Sequence, residues 1–237
     1  MLYLERTLPT LAENLALDEA LLLDAERGGA EVLRVWQWRE LAVVLGAGGR
    51  IADDVHEDRC RADGVPLARR ASGGGTVMLG PGCLLYSVVI RYDRDPALTQ
   101  IVPSYCYVLG RVVAGLRGVL PNLDVRGSSD LASLERKVSG NAQQRKRTHL
   151  LQHGTLLYDF DIGCIGAYLK APPRQPEYRQ HRSHRDFLTK LPTDTETLKR
   201  CLRTAWAVDG EMASVPMALV RALVAEKYGR EEWVRRR

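Results

Sequence analysis

Apolar positions Leu11, Leu15, Leu22 and Ala25 recur at helical spacing and Gly28-Gly29 ends the pattern, which predicts a first helix over 11–27. Two short β-rich runs follow at 32–38 and 42–45, separated by Arg39-Glu40 and read as a hairpin or paired strands. A polar stretch, 54–63, suits a helix, 65–68 reads as extended, and 83–92 reads as a buried strand. Ile101, Val102, Tyr105, Val108, Leu109, Val112, Val113 and Leu116 then trace the most convincing helical stripe, with Pro103 tolerable in its first turn. Strands are expected at 123–125, 130–134, 137–139 and 149–158, with turns at Glu135-Arg136 and at Arg145-Lys146-Arg147. Helices are expected at 162–170, 195–207 and 217–228. With no internal repeat or linker, the expectation is one α+β domain spanning 1–237, with a mixed, largely antiparallel sheet flanked by helices.

Composition changes this picture little. The 237 residues are 45% hydrophobic and 27% charged, an ordinary globular balance that argues against a disordered or fibrous chain. Thirty-four Lys and Arg against 29 Asp and Glu leave +5, which suits an acidic partner or anionic substrate without calling for nucleic acid. The five cysteines, Cys60, Cys83, Cys106, Cys164 and Cys201, are scattered without a CxxC, so no protein-held metal site and no disulfide framework is expected. No secretory signal is legible at 1–14, and no run approaches the roughly 18 apolar residues of a membrane span. A cytoplasmic protein without membrane attachment is the expectation.

Three segments carry candidate chemistry. In Arg69-Arg70-Ala71-Ser72-Gly73-Gly74-Gly75-Thr76-Val77, consecutive glycines between two strand-like runs expose backbone N–H groups beside two cations. That suits a cradle for a carboxylate or phosphate, and equally a flexible turn joining two strands. It is neither a Walker loop nor GxGxxG. Lys137-Val138-Ser139-Gly140-Asn141-Ala142-Gln143 places a lysine at the start of a strand, where it could neutralise an anionic transition state or remain a solvated surface charge. His153-Gly154-Thr155 offers an acid, a base, a donor or a structural histidine.

In order and spacing, RRASGGGTV, KVSGNAQ and QHGTLLYDFD resemble the biotin/lipoate protein ligase superfamily, on its lipoate side. Asn14 to Leu22 looks like that family's first-helix opening, Val43-Val44-Leu45-Gly46 like the strand and glycine lining its acyl pocket, and Lys227-Tyr228 with Glu232-Trp233 like its C-terminal ending. The resemblance therefore runs over nearly the whole chain. It implies a ligase that activates lipoate or octanoate with ATP and magnesium as an acyl adenylate, then passes the acyl group to a lysine of an acidic lipoyl domain. Lys137 would be catalytic, stabilising charge on the phosphate or carbonyl oxygen. Arg70, Ser72, Gly73, Gly74, Gly75 and Thr76 would bind the carboxylate or adenylate. Gly46, Gly140, Asn141, Ala142, His153, Gly154 and Thr155 would complete the substrate site, with Val44 to Gly46 as one wall of an apolar tunnel and 153–155 as the other.

The runner-up is an octanoyl or lipoyl transferase working through a cysteine thioester, and a non-catalytic lipoyl-domain binder is a third reading. Both positions where the family's transferases carry sulfur lack it here: Lys170 to Arg174 in one type, Arg126 to Leu131 in the other. Two departures from the ligases stand out. Leu79-Gly80 replaces a His-Asp pair, and no C-terminal accessory domain follows, so a single-domain ligase or one with an accessory polypeptide is implied. The segment 172–179, followed by 182–187, looks like a ligase-like branch and has no established role. Arg145, Lys146 and Arg147, in the turn directly after the lysine-bearing strand, would lie beside the active-site mouth and steer the acidic acceptor, or equally form a solvated turn with no partner.

Overall fold

The computed structural model describes residues 1–236. Its larger sheet has eight strands in the order β11-β1-β2-β6-β10-β9-β8-β7. These are β1 (Leu2–Glu5), β2 (Val32–Gln37), β6 (Cys83–Arg91), β7 (Leu123–Arg126), β8 (Asp130–Ser133), β9 (Arg136–Arg145), β10 (His149–Leu157) and β11 (Gly210–Glu211). Only β1 pairs in parallel, with β2 and β11; the other neighbours are antiparallel. A second sheet of three strands places β3 (Ala42–Leu45) between parallel β4 (Leu67–Arg69) and antiparallel β5 (Val77–Leu79).

Both faces of the large sheet are covered, and β6 shows why. Leu84, Tyr86, Val88 and Ile90 pack with Val108, Leu109, Val112 and Leu116 of α4 (Ile101–Leu116) and with Leu198 and Leu202 of α7 (Thr195–Ala205). Cys83, Leu85 and Val89 face the other way, toward α1 (Leu11–Glu26) and the small sheet. A strand buried on both faces reads as a continuous apolar run, as CLLYSVVI does. Helix α1 starts at a reciprocal cap in which Thr10 accepts from the Glu13 backbone while the Glu13 carboxylate accepts from the Thr10 N–H at 2.9 Å.

The α+β, largely antiparallel expectation holds, with several corrections. The runs at 32–37 and 42–45 are not a hairpin: β2 and β3 lie in different sheets, because two fully buried runs carry no signal of which strand each will pair with. Strand β9 extends to Arg145, since Asn141, Gln143 and Gln144 pair with β10 despite their polarity. The turn before it falls at Leu134-Glu135, both at positive φ (48° and 62°), one residue earlier than expected. The expected helix at 162–170 shortens to a 3-10 turn at Ile162–Cys164 and α5 (Ile165–Tyr168). The expected helix at 217–228 is α8 (Met217–Leu223) followed by a π turn, Val224–Tyr228. The polar stretch near 54–63 holds two short helices, α2 (Ile51–Asp54) and α3 (Glu57–Ala62). Strands β1, β5 and β11 and helices α6 (His184–Phe187) and α9 (Glu231–Arg235) had no sequence-level expectation.

Candidate active site

The Ser72–Thr76 loop leaves β4, crosses the large sheet above β9 and returns as β5. Gly46 makes this possible: a Cβ there would stand 2.1 Å from the Gly74 carbonyl oxygen. Gly74 itself sits at φ +86°, a left-handed conformation that favours glycine. The loop is tied from beneath by Arg70. Its guanidinium donates to Ser72 Oγ (2.9 Å), to the Gly73 and Gly75 carbonyls (2.6 and 2.8 Å) and to the Val44 carbonyl (3.3 Å). Burial brings this guanidinium down to about 10, so it stays charged at neutral pH. The expectation that Arg70 meets a substrate carboxylate is therefore corrected: its donors are aimed at the chain's own carbonyls. What the loop offers outward is backbone. Gly73, Gly74 and Gly75 are exposed, and among the described residues none of their N–H groups is donated to a protein acceptor. Thr76 is also spent inward, its hydroxyl donating to Asp54 Oδ2 at 2.6 Å.

Lys137 is the second residue of β9 and its side chain runs forward along the strand, so that a Cβ on Gly140 would lie 2.9 Å from Nζ. Two residues further on, Ala142 faces Gly74, at 3.7 Å from a Cβ built there. The ammonium and the glycine loop thus converge on one face of β9, about 7 Å apart at ~3.3 Å per residue. Nζ is paired with Asp130 Oδ1 at 2.7 Å, and the other carboxylate oxygen accepts from the Tyr178 hydroxyl at 2.8 Å. Asp130 stands opposite Gly140 at the start of β8.

Asn141 occupies the reverse face. Its Oδ1 accepts from Tyr86, and its Nδ2 donates to the Ser129 carbonyl (2.9 Å) and Ser139 Oγ (3.1 Å). Gly154 leaves the space it fills, since a Cβ at Gly154 would meet Asn141 Oδ1 at 1.9 Å. Asn141 and Gly154 therefore support the site from behind, by fixing the turn before Asp130, and do not line it as expected. His153, one residue away, faces the loop because side chains alternate along a strand.

A continuous polar chain links the loop to the core. Ser72 Oγ lies 2.6 Å from His153 Nε2, His153 Nδ1 lies 2.9 Å from Asp18 Oδ2, and Arg34 Nη1 donates to Asp18 Oδ1 at 2.6 Å. A carboxylate only accepts, so the ring carries its N–H at Nδ1, and in the neutral ring Nε2 accepts from Ser72. Burial works against the Asp18 charge, but Arg34 and His153 outweigh it and hold the carboxyl below the usual carboxylate range. Ser72 is itself buried and also accepts from Arg70, so the chain fastens the loop. The bond from Ser72 to His153 ties the glycine loop to the expected 153–155 wall. Thr155 lies on the same face as His153, hydrogen-bonded to Cys83, whose thiol burial pushes up to about 12.

Sequence reasoning missed Asp18, Arg34, Asp130 and Tyr178. A signal existed for the first two: a charge inside the apolar runs of α1 and β2 must find a partner once buried. It also missed the C-terminal brace. Glu19 accepts from Lys227 Nζ and the Tyr228 hydroxyl, both at 2.7 Å, and from Gln144 at 2.8 Å. Trp233 Nε1 donates to the Arg69 carbonyl at 2.8 Å, and Arg69 in turn donates to the Gly46 and Gly49 carbonyls at 2.9 and 2.7 Å.

The basic turn is not placed as expected. Arg145 is folded against the protein, donating to the Leu98 carbonyl at 2.6 Å and lying over the Tyr92 ring, which leaves Lys146 and Arg147 exposed at the hairpin end. That end lies six residues beyond Gly140, about 20 Å along the strand, rather than beside Lys137. Among the described residues no group of His, Cys, Asp and Glu is arranged to hold a metal, and no helix is long and apolar enough to cross a membrane.

Residues 10–201 match the family described as lipoyl protein ligase A/B catalytic domain. The octanoyltransferase LipM of Carboxydothermus hydrogenoformans is 29% identical over 94% of this chain and 94% of that protein. Among solved structures, the bi-partite lipoate protein ligase of Thermoplasma acidophilum, studied with its E2 lipoyl domain, matches at 25% identity and TM-score 0.82, covering 99% of this chain and 95% of that one. A lipoate-protein ligase A bound with ATP matches equally well, at 25% and 0.82 over 99% and 97%. Motifs, fold and comparison agree, and the chain belongs to the lipoyl protein ligase A/B catalytic domain family.

Proposed function

We propose that residues 1–237 act as one catalytic domain that activates lipoate or octanoate with ATP and transfers the acyl group to a lysine of an acidic lipoyl domain. The observation that carries this reading is the convergence on one face of β9 of Lys137 Nζ and the N–H groups of Gly73 to Gly75, which no described residue accepts. Fixed donors of this kind stabilise negative charge as it develops on a carbonyl or phosphoryl oxygen. Arg70, Ser72 and His153 contribute by holding the loop in shape. Magnesium would arrive as a co-substrate on the triphosphate.

The choice of ligase over transferase rests on where sulfur lies. A thioester relay needs a thiolate within reach of the acyl carbonyl. Ser128 and Ser129 stand before Asp130, with the Ser129 carbonyl held by Asn141, and Cys60 and Cys83 are buried in the core. The second reading, octanoyl transfer from a carrier protein, is favoured by the similarity to octanoyltransferase LipM. One experiment separates them. The protein is incubated with lipoate, MgATP and a lipoyl domain, and separately with octanoyl carrier protein without ATP, and the acceptor is weighed. Acylation in the first mixture alone supports the ligase; in the second alone it replaces that reading with the transferase. A cytoplasmic setting, whose reducing conditions suit five unpaired thiols, belongs to the same proposal.

A further inference from the structure

The segment following the Pro172-Pro173 break has no role in the reading so far, yet it is stitched to the lysine-bearing hairpin at several points. Arg182 Nη2 donates to the Tyr178 carbonyl at 2.6 Å and to the Glu135 carbonyl at 3.0 Å. Arg136 Nη2 donates to the Leu188 carbonyl at 2.6 Å, and the Thr189 N–H to the Lys137 carbonyl at 2.9 Å. The Tyr178 ring rests against Phe187, centroids 5.1 Å apart, which aims its hydroxyl at Asp130 Oδ2.

We infer that Tyr178 is a positioning residue for acyl transfer: it fixes the Asp130 carboxylate, and through it holds the Lys137 ammonium over Gly140. This rests on the reading of Lys137 as the group that stabilises developing charge. Asp130 is buried and uses one oxygen for each neighbour, 2.7 Å to Lys137 and 2.8 Å to Tyr178. Without the hydroxyl, Oδ2 would be left unpaired where water has little access, and the carboxylate would turn to recover a partner. A turn of the carboxylate moves the counter-ion of Nζ, and a donor displaced by a fraction of an ångström loses much of its effect on a reacting centre. Burial, with the Asp130 charge beside it, pushes the Tyr178 hydroxyl well above its ordinary range, so it remains a donor at any working pH.

The test uses Tyr178→Phe, which removes the hydroxyl and keeps the ring on Phe187. The expected result is a kcat for acyl transfer lowered about tenfold, the scale of a lost hydrogen bond to a charged group, with KM for the acyl substrate within about twofold. In a Lys137→Ala background the same change should have almost no further effect, because both act through one ammonium. A second measurement does not depend on turnover: the rate at which limiting acetic anhydride labels Lys137, read by peptide mass against Lys190. Lys137 is 25% exposed and Lys190 46%, and Tyr178→Phe should raise Lys137 labelling several-fold while leaving Lys190 unchanged. A kcat within twofold of wild type overturns the inference, as does an equal fall in the Lys137→Ala background. Wild-type protein that transfers no acyl group in either mixture would instead sink the proposed function, and unchanged Lys137 labelling would then overturn the Tyr178 inference alone.

Discussion

Gly46, just after β3, touches Gly74 in the loop that joins β4 to β5 of the same sheet: a Cβ on Gly46 would stand 2.1 Å from the Gly74 carbonyl oxygen. The contact is backbone against backbone, so no side-chain rotation can relieve an added methyl. Gly46→Ala is therefore expected to push the glycine loop off β9. Overpacking of this kind costs about 1–3 kcal/mol, so the protein should still fold, with a melting temperature lower by ~5 °C. Acyl transfer should fall far more than stability does, and calorimetry beside a transfer assay checks the separation.

Arg70 and lysine are not interchangeable here. The guanidinium reaches Ser72 Oγ and three carbonyls at once, a fork that an ammonium cannot copy. Arg70→Lys keeps the charge and is expected to raise KM for the acyl substrate by more than about tenfold through loss of loop order. Amide hydrogen exchange at Ala47, whose N–H is donated to the Ser72 carbonyl at 2.8 Å, should quicken while α4 stays protected. Unchanged exchange at Ala47 would refute the bracing role.

Glu26, at the end of α1, accepts from the Thr148 N–H and hydroxyl at 2.7 and 2.8 Å and from the His149 N–H at 2.8 Å. Burial opposes its charge, but these bonds prevail and hold the carboxyl down to about 2 from an ordinary 4.5. A carboxyl with a depressed value in the folded state stabilises it above the unfolded value, and the effect is lost as pH falls through the folded one. The contribution should thus be complete above about pH 4.5 and disappear toward pH 2. Denaturation across that window should show a shallower pH dependence for Glu26→Gln than for wild type.

Helix α4 was legible because Val108, Leu109, Val112, Val113 and Leu116 keep one 3.6-residue face against the sheet, although Ile101 and Val102 of the expected stripe are exposed. The three chemical segments were legible as well, and Lys137, the glycine loop and His153 do meet on one face of the sheet. What the sequence hid was direction and partnership. Nothing in KVSGNAQ says that Lys137 folds forward over Gly140 while Asn141 turns to the reverse face. Arg70 reads as an outward cation, although its guanidinium is turned inward to the Ser72 hydroxyl and three carbonyls. Asp130 and Tyr178 are 48 residues apart and come together only through the packing of 172–188 on the hairpin. The β2 and β3 runs are equally buried, so their assignment to different sheets is fixed by tertiary contacts alone.

Lys137→Ala removes the ammonium that lies over Gly140 on β9. A preorganised donor is worth about 100- to 1000-fold in turnover, and that loss is expected here with little change in substrate binding to the glycine loop. The fold should survive, because Asp130 retains its hydrogen bond from Tyr178. Turnover within about threefold of wild type would remove Lys137 from the chemistry.

Cys164 decides between the two transfer chemistries in a different way. It closes the 3-10 turn at Ile162–Cys164, with Sγ 3.0 Å from the Asp161 carbonyl, and burial together with the Asp161 charge pushes its thiol up. A relay through sulfur requires the thiolate, which such surroundings suppress, so this thiol is poorly suited to open a thioester. Cys164→Ala should therefore leave turnover close to wild type, and mass spectrometry after exposure to an octanoyl thioester should find no acyl group on the Cys164 peptide. An acyl adduct there that vanishes in Cys164→Ser together with activity would transfer the acyl relay to this cysteine and replace the adenylate route with a covalent one.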